Sequence, residues 1–159
     1  MAVRVQESDF DIAAEMAAMT AGRPGIGAVV SFTGLVRGQA GGEPISGMTL
    51  EHWPGVTERA LAAIEAEARA RWPLEDVLII HRHGALAPGD RIVLVLTASA
   101  HRQAAFAAAE FLMDYLKTRA PFWKKESTPD GGRWVDAREA DAAAAARWQD
   151  APARGGAGQ

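Results

Sequence analysis

The chain of 159 residues contains no cysteine. That excludes disulfides, thiolate metal sites and any thiol nucleophile or persulfide carried on this chain. It also lacks a long apolar run: no stretch approaches the ~20 residues of a membrane span, and the first residues, MAVRVQESDFD, hold no signal-peptide core. The simplest expectation is a soluble cytoplasmic protein. An excess of positive charge is missing too, since the formal net charge is -3. A general nucleic-acid binder needs a broad basic surface for phosphates, so that class is set aside. No internal repeat is visible. With 48% hydrophobic residues, one domain of this size has enough material for a single core.

Several site motifs are also incomplete. Gly25-Ile26-Gly27 is half of a dinucleotide fingerprint, but the third glycine is absent and a strand follows where a helix is needed. Gly34 to Gly42 is rich in glycine without the lysine and hydroxyl residue of a phosphate loop. His81 and His83 stand at i and i+2 of a strand and share a face, yet no third ligand lies nearby, so packing or surface roles are favoured over metal. Ser99 and His101 lack an acid to orient a base, which argues against a hydrolase pair.

What is present reads as alternating α and β elements. Ala2 to Gln6 is a short edge strand, and Ser8 with Asp11 resembles a capping box opening a helix with Ile12, Met16 and Met19 on one face. After a Gly-Pro loop, Ala28 to Val36 reads as a buried strand, followed by a flexible Gly38–Pro44 loop and a partner strand over Ile45–Trp53. Pro54-Gly55 begins a helix with Leu61, Ile64, Ala68 and Trp72 on one side, ended by Pro73. Val77–His83 and Ile92–Thr97, joined through the turn Ala87-Pro88-Gly89-Asp90, form an antiparallel hairpin. A long helix, strands around Phe122–Ser127 and Arg133–Val135, and an Ala-rich helix over Ala137–Trp148 complete the chain. The fold expected is α+β, a mostly antiparallel sheet with helices packed on it, in one domain over residues 1–149. Residues 150–159 read as a disordered tail.

The most informative stretch runs from Ser99 to Glu126. Phe106, Ala109, Met113 and Leu116 recur at helical spacing, so one stripe is expected to face a core, and Pro121 stops the helix. Between Tyr115 and Lys125 lie Lys117, Arg119, Lys124 and Lys125, with no acid among them. A basic run is commonly a solvated face. Here Tyr115, Leu116, Pro121, Phe122 and Trp123 interleave with it, and lysines set among such groups can line an anion pocket. Arg37 follows a buried strand directly and enters a glycine loop, which suits either an anion-binding side chain or a surface arginine. Arg138, near the start of the last helix, opposes the helix dipole unless an anion is close.

Phe32-Thr33-Gly34-Leu35-Val36-Arg37, Leu50-Glu51-His52-Trp53-Pro54-Gly55, Ile80-His81-Arg82-His83-Gly84, Ser99-Ala100-His101-Arg102 and the block Met113 to Glu126 together resemble the large, catalytic subunit of molybdopterin synthase. The likeness runs from about Gly27 to Trp148. It departs at Trp53, where another aromatic is usual, and in the glycine-rich loop at Gly38, Gly41 and Gly42. The resemblance implies an α/β hammerhead fold with a small extra β subdomain, dimerising within a heterotetramer. It implies sulfur transfer from the C-terminal Gly-Gly thiocarboxylate of a small ubiquitin-like carrier to cyclic pyranopterin monophosphate, giving the molybdopterin dithiolene. No metal and no cofactor enter. A chain without cysteine fits a reaction whose sulfur arrives on a carrier. Carried over by motif, Lys117 and Lys124 are the catalytic residues. Phe32, Arg37 and Met113 line the same pocket, and His101, Arg102 and Arg138 hold the substrate's phosphate or pterin. His101-Arg102 and Lys117 lie at opposite ends of one helix, roughly 22 Å apart, so a single pocket using both needs two subunits. The competing reading is a non-catalytic anion- or nucleotide-binding module.

Overall fold

The computed structural model describes residues 3–128, 131–135 and 139–149. The expected tail from 150 onward, and Arg138, lie outside them. Four strands form the central sheet in the order β1 (Val3–Gln6), β6 (Leu74–Arg82), β8 (Arg91–Ser99) and β2 (Ala28–Leu35). Only β1 and β6 run parallel; the other pairings of the sheet are antiparallel. Because strand side chains alternate between faces, the register decides what each face buries. Val77 and Ile79 on β6 share a face with Val93 and Val95 on β8, and this face packs under two helices. Leu78, Ile80, Leu94, Leu96 and Ala98 cover the other face, closed by Phe10 and Met19. Strand β8 is covered on both sides, which explains its uninterrupted apolar run.

Helix α1 (Ile12–Thr20) lies on the Leu78–Leu96 face. Asp11 itself is the N-cap, its carboxylate accepting the Ala14 amide at 3.0 Å. This corrects the expected box, which placed the cap at Ser8. Helix α2 (Val56–Arg71) starts after Gly55, whose φ of 81° suits glycine, and buries Leu61, Ile64 and Ala68. Helix α3 (Arg102–Arg119) runs beside it across the sheet. Of the predicted stripe, Ala109 and Leu116 are buried and Met113 packs against the core, but Phe106 is 62% exposed. The contact face is Ala105, Ala108, Phe111, Leu112 and Tyr115, with Ala104, Ala109 and Leu116 beside it. Small alanines let the helix approach the sheet closely, and the Thr97 hydroxyl donates to the Ala105 carbonyl at 2.7 Å, fixing the rotation.

The second sheet has the order β10 (Gly131–Val135), β9 (Phe122–Thr128), β5 (Gly47–His52) and β7 (Gly84–Leu86), all antiparallel. Here the expectation for Ile45–Trp53 changes: the strand pairs with β9 and β7, not with β2. The β6–β8 hairpin is present, but its connection carries β7 into this second sheet, leaving the first at Gly84 with φ 86°. The Gly38–Pro44 loop is a small hairpin of β3 (Gln39–Ala40) and β4 (Glu43–Pro44), turned by Gly41 and Gly42 at positive φ. Helix α4 (Glu139–Ala146) packs on α3. Beyond its end, the Trp148 indole donates to Asp114 at 2.7 Å and stands edge-on to Trp72 at 5.5 Å. Among the described residues no helix is long and apolar enough to cross a membrane.

Candidate active site

Where the C-terminal end of α3 meets the second sheet, a cavity of about 420 Å³ opens. Phe32, Arg37, Met113, Lys117 and Lys124 all line it. Five side chains from three separate stretches of sequence therefore converge. Their placement follows from element periodicity. On α3, Met113, Leu116, Lys117 and Ala120 recur at three- and four-residue spacing and face the cavity together. On β9, alternation sends Phe122, Lys124 and Glu126 inward. Arg37 is held by its neighbours: the Val36 amide donates to the Asp90 carbonyl at 2.9 Å, and the Ile45 amide to the Gly38 carbonyl at 2.9 Å. Behind it, a Cβ at Gly34 would stand 2.6 Å from Val93 Cγ1, so only glycine leaves this wall intact.

The same periodicity sorts the basic cluster. Arg119 points away, lying 3.8 Å over the Tyr115 ring and pairing with Glu67 at 3.0 Å. Lys125, next to Lys124 on the strand, faces outward with its ammonium 5.8 Å from the Trp134 ring. Lys117 and Lys124 alone of the four enter the cavity. Apolar interleaving thus marks a pocket at two positions and an ordinary surface at the other two.

Sequence reasoning passed over His81 and Glu126 as cavity residues. His81 is 5% exposed, and its Nδ1 lies 2.9 Å from the Arg82 carbonyl oxygen. Its ring stacks on Phe122 with centroids 3.8 Å apart. Burial, reinforced by the positive charges of Lys117 and Lys124, pushes its pKa down to about 3, so the ring is neutral at physiological pH. The available signal was its phase: His81 continues the Val77–Ile79 face with a polar ring where a third aliphatic would be expected. His83 does not join it. The chain has left β6 there, and His83 packs 4.3 Å from His52 at the junction of the sheets. Glu126, 7% exposed, sits two residues from Lys124 on the same strand face. Among the described residues no group of three or more His, Cys, Asp or Glu could hold a metal.

The MoaE protein family model matches residues 5–119. The chain belongs to this family. A molybdopterin synthase catalytic subunit from Mesorhizobium japonicum is 59% identical over 149 residues, covering 92% of each chain. That of Pseudomonas aeruginosa is 58% identical, covering 94% of this chain and 100% of its own. Among solved structures, the molybdopterin biosynthesis MoaE protein of Burkholderia ambifaria superposes with a TM-score of 0.78 at 57% identity, covering 93% of this chain and 98% of that one. The mixed fold with two largely antiparallel sheets is thus the fold of the family. Two of the expected site residues stay apart from the rest: His101 and Arg102 are exposed at the start of α3, remote from the cavity at its other end. His101 occupies the N-cap position without a side-chain capping bond, so capping does not account for it.

Proposed function

We propose that this chain is the sulfur-transferring subunit of a molybdopterin synthase and that the cavity beside α3 is its reaction site. The carrying observation is the convergence of Lys117, Lys124 and Arg37 on one concave site with apolar walls. Three cationic groups there match an anionic substrate, a cyclic pyranopterin monophosphate, and an anionic thiocarboxylate at the end of a small ubiquitin-like carrier. The thiocarboxylate sulfur bonds to a side-chain carbon of the pterin as that carbon's C–O bond to the cyclic phosphate breaks; the phosphate stays on the pterin as a monoester, and carrier and substrate are joined through a thioester. Water then attacks the acyl carbon; the carrier leaves as a carboxylate and the sulfur stays on the pterin. Lys117 polarises the acyl group or moves the proton, and Lys124 stabilises the anionic intermediate. Phe32 and Met113 shape the pocket wall.

His101, Arg102 and Arg138 serve the same substrate from a second copy of the chain, since the length of α3 keeps the first two from their own Lys117. Residues 1–149 act as one catalytic unit in the cytoplasm. The test is reconstitution with thiocarboxylated carrier and the cyclic pterin. Turnover supports the enzyme, whereas tight binding without sulfur transfer supports a non-catalytic anion-binding module. Lys117→Ala is expected to abolish molybdopterin formation while carrier binding and melting temperature hold; full activity in that variant removes Lys117 from the mechanism.

A further inference from the structure

We propose that the His81 imidazole, through Nε2, orients the Lys117 ammonium over the cavity floor; as a positioning residue for sulfur transfer, it rests on the reading above. The register places His81 level with Val93 and Gly34 across three strands, so its ring rises from the floor of the cavity. A polar ring buried there is costly unless its nitrogens are bonded. The Arg82 carbonyl only accepts, so the Nδ1 2.9 Å away carries the hydrogen and the tautomer is fixed. Nε2 is then a lone-pair acceptor. It stands at the ring tip, farther from the strand than Nδ1, and stacking on Phe122 with an interplanar angle of 21° holds the ring plane.

The charged and titratable groups around this ring come from several elements: Lys117 on α3, Lys124 and Glu126 on β9, His52 on β5, and Arg37 and Asp141 on the cavity wall. Lys117 and Lys124 both line the cavity that the ring enters, Lys117 from the end of α3 and Lys124 from the strand that carries the stacked Phe122. An ammonium has three donors and no acceptor, and the Lys117 stem is flexible and exposed at the end of its helix. The Lys117 and His81 side chains line one cavity, and an acceptor there selects one position of the ammonium. A ring that resists protonation down to about 3 is a poor general base at neutral pH, so acceptance of a hydrogen bond is the chemistry left to it.

The test uses the reconstituted synthase with His81→Phe, which keeps the stack, and His81→Gln, which restores a polar group at similar reach. His81→Phe should lower kcat about tenfold or more, with KM for carrier and pterin within about twofold, and His81→Gln should recover much of the loss. An unchanged kcat, or a fall that glutamine does not relieve, overturns the proposal. Nitrogen NMR of the wild-type imidazole supplies a readout independent of turnover. It should show the Nδ1–H tautomer at neutral pH and an Nε2 signal that shifts in Lys117→Ala but not in Lys125→Ala. An Nε2 that ignores Lys117 overturns the proposal even if His81→Phe fails to fold. Wild-type protein without sulfur transfer refutes the functional reading instead, and the NMR result still decides the positioning.

Discussion

The buried His81 ties the stability of this protein to pH, and one substitution should remove the tie. In the folded chain the ring binds a proton only near pH 3, against 6.5 for an unperturbed histidine. Between these values the unfolded state holds a proton that the folded state does not. Stability therefore rises with pH across this window and is lost as pH falls below 6.5. Each pH unit inside the window is worth about 1.36 kcal/mol, so the whole of it amounts to something on the order of 5 kcal/mol. That is comparable with the total stability of a typical domain, about 5–15 kcal/mol. His52, lowered by burial and by His83, and Asp9, lowered by Arg91, act in the same direction. The contribution of His81 is isolated by difference. His81→Phe and His81→Gln are neutral at every pH, so urea unfolding followed from pH 7.5 to about 4.5 should give curves shallower than wild type by roughly 1 kcal/mol per pH unit below pH 6. The two variants will differ in absolute stability because they pack differently. They should share the same lost slope. Parallel curves for wild type and both variants would mean that the ring titrates alike folded and unfolded, and the neutral acceptor would go with it.

Arg37→Ala should raise the apparent requirement for pterin far more than that for carrier, by tenfold or more, since a charge-assisted contact is worth about 1.5–3 kcal/mol; an unchanged pterin dependence contradicts this. Gly34→Ala should cost about 1–3 kcal/mol, because its Cβ would stand 2.6 Å from Val93 Cγ1. Shortening Val93 in the same chain should recover part of the loss, and a melting temperature equal to wild type would refute the clash. A mixed dimer of Lys117→Ala and Arg102→Ala chains places both defects in one pocket and none in the other, so activity near half of wild type is expected from a shared site. An inactive mixed dimer confines each site to one chain.

Local pattern found the longer elements but not the short strands β3, β4 and β7, nor all of the partners. Pro121, Pro73 and the Ala87–Asp90 turn punctuate the chain where helices and strands do end, because these signals act within a few residues. One position of the α3 stripe was misplaced for a physical reason: hydrophobicity favours Phe106, whereas close packing favours the Ala105–Ala108 face that Thr97 engages. Strand β5 was assigned to the wrong sheet because periodicity says which side of a strand is buried and nothing about which strand lies beside it.

The site shows the same division more sharply. Lys117 and Lys124 were singled out in the sequence only by the motif resemblance; in the structure strand parity and helix phase, both local, turn them inward while turning Arg119 and Lys125 out. His81 was not singled out, because its meaning lies in a row across the sheet, His81 to Val93 to Gly34, whose members are far apart in sequence. A missing side chain at Gly34, a short one at Val93 and a ring at His81 together make the hollow into which Lys117 and Lys124 reach. Each residue alone reads as an ordinary strand position, and only the register makes the three of them a floor.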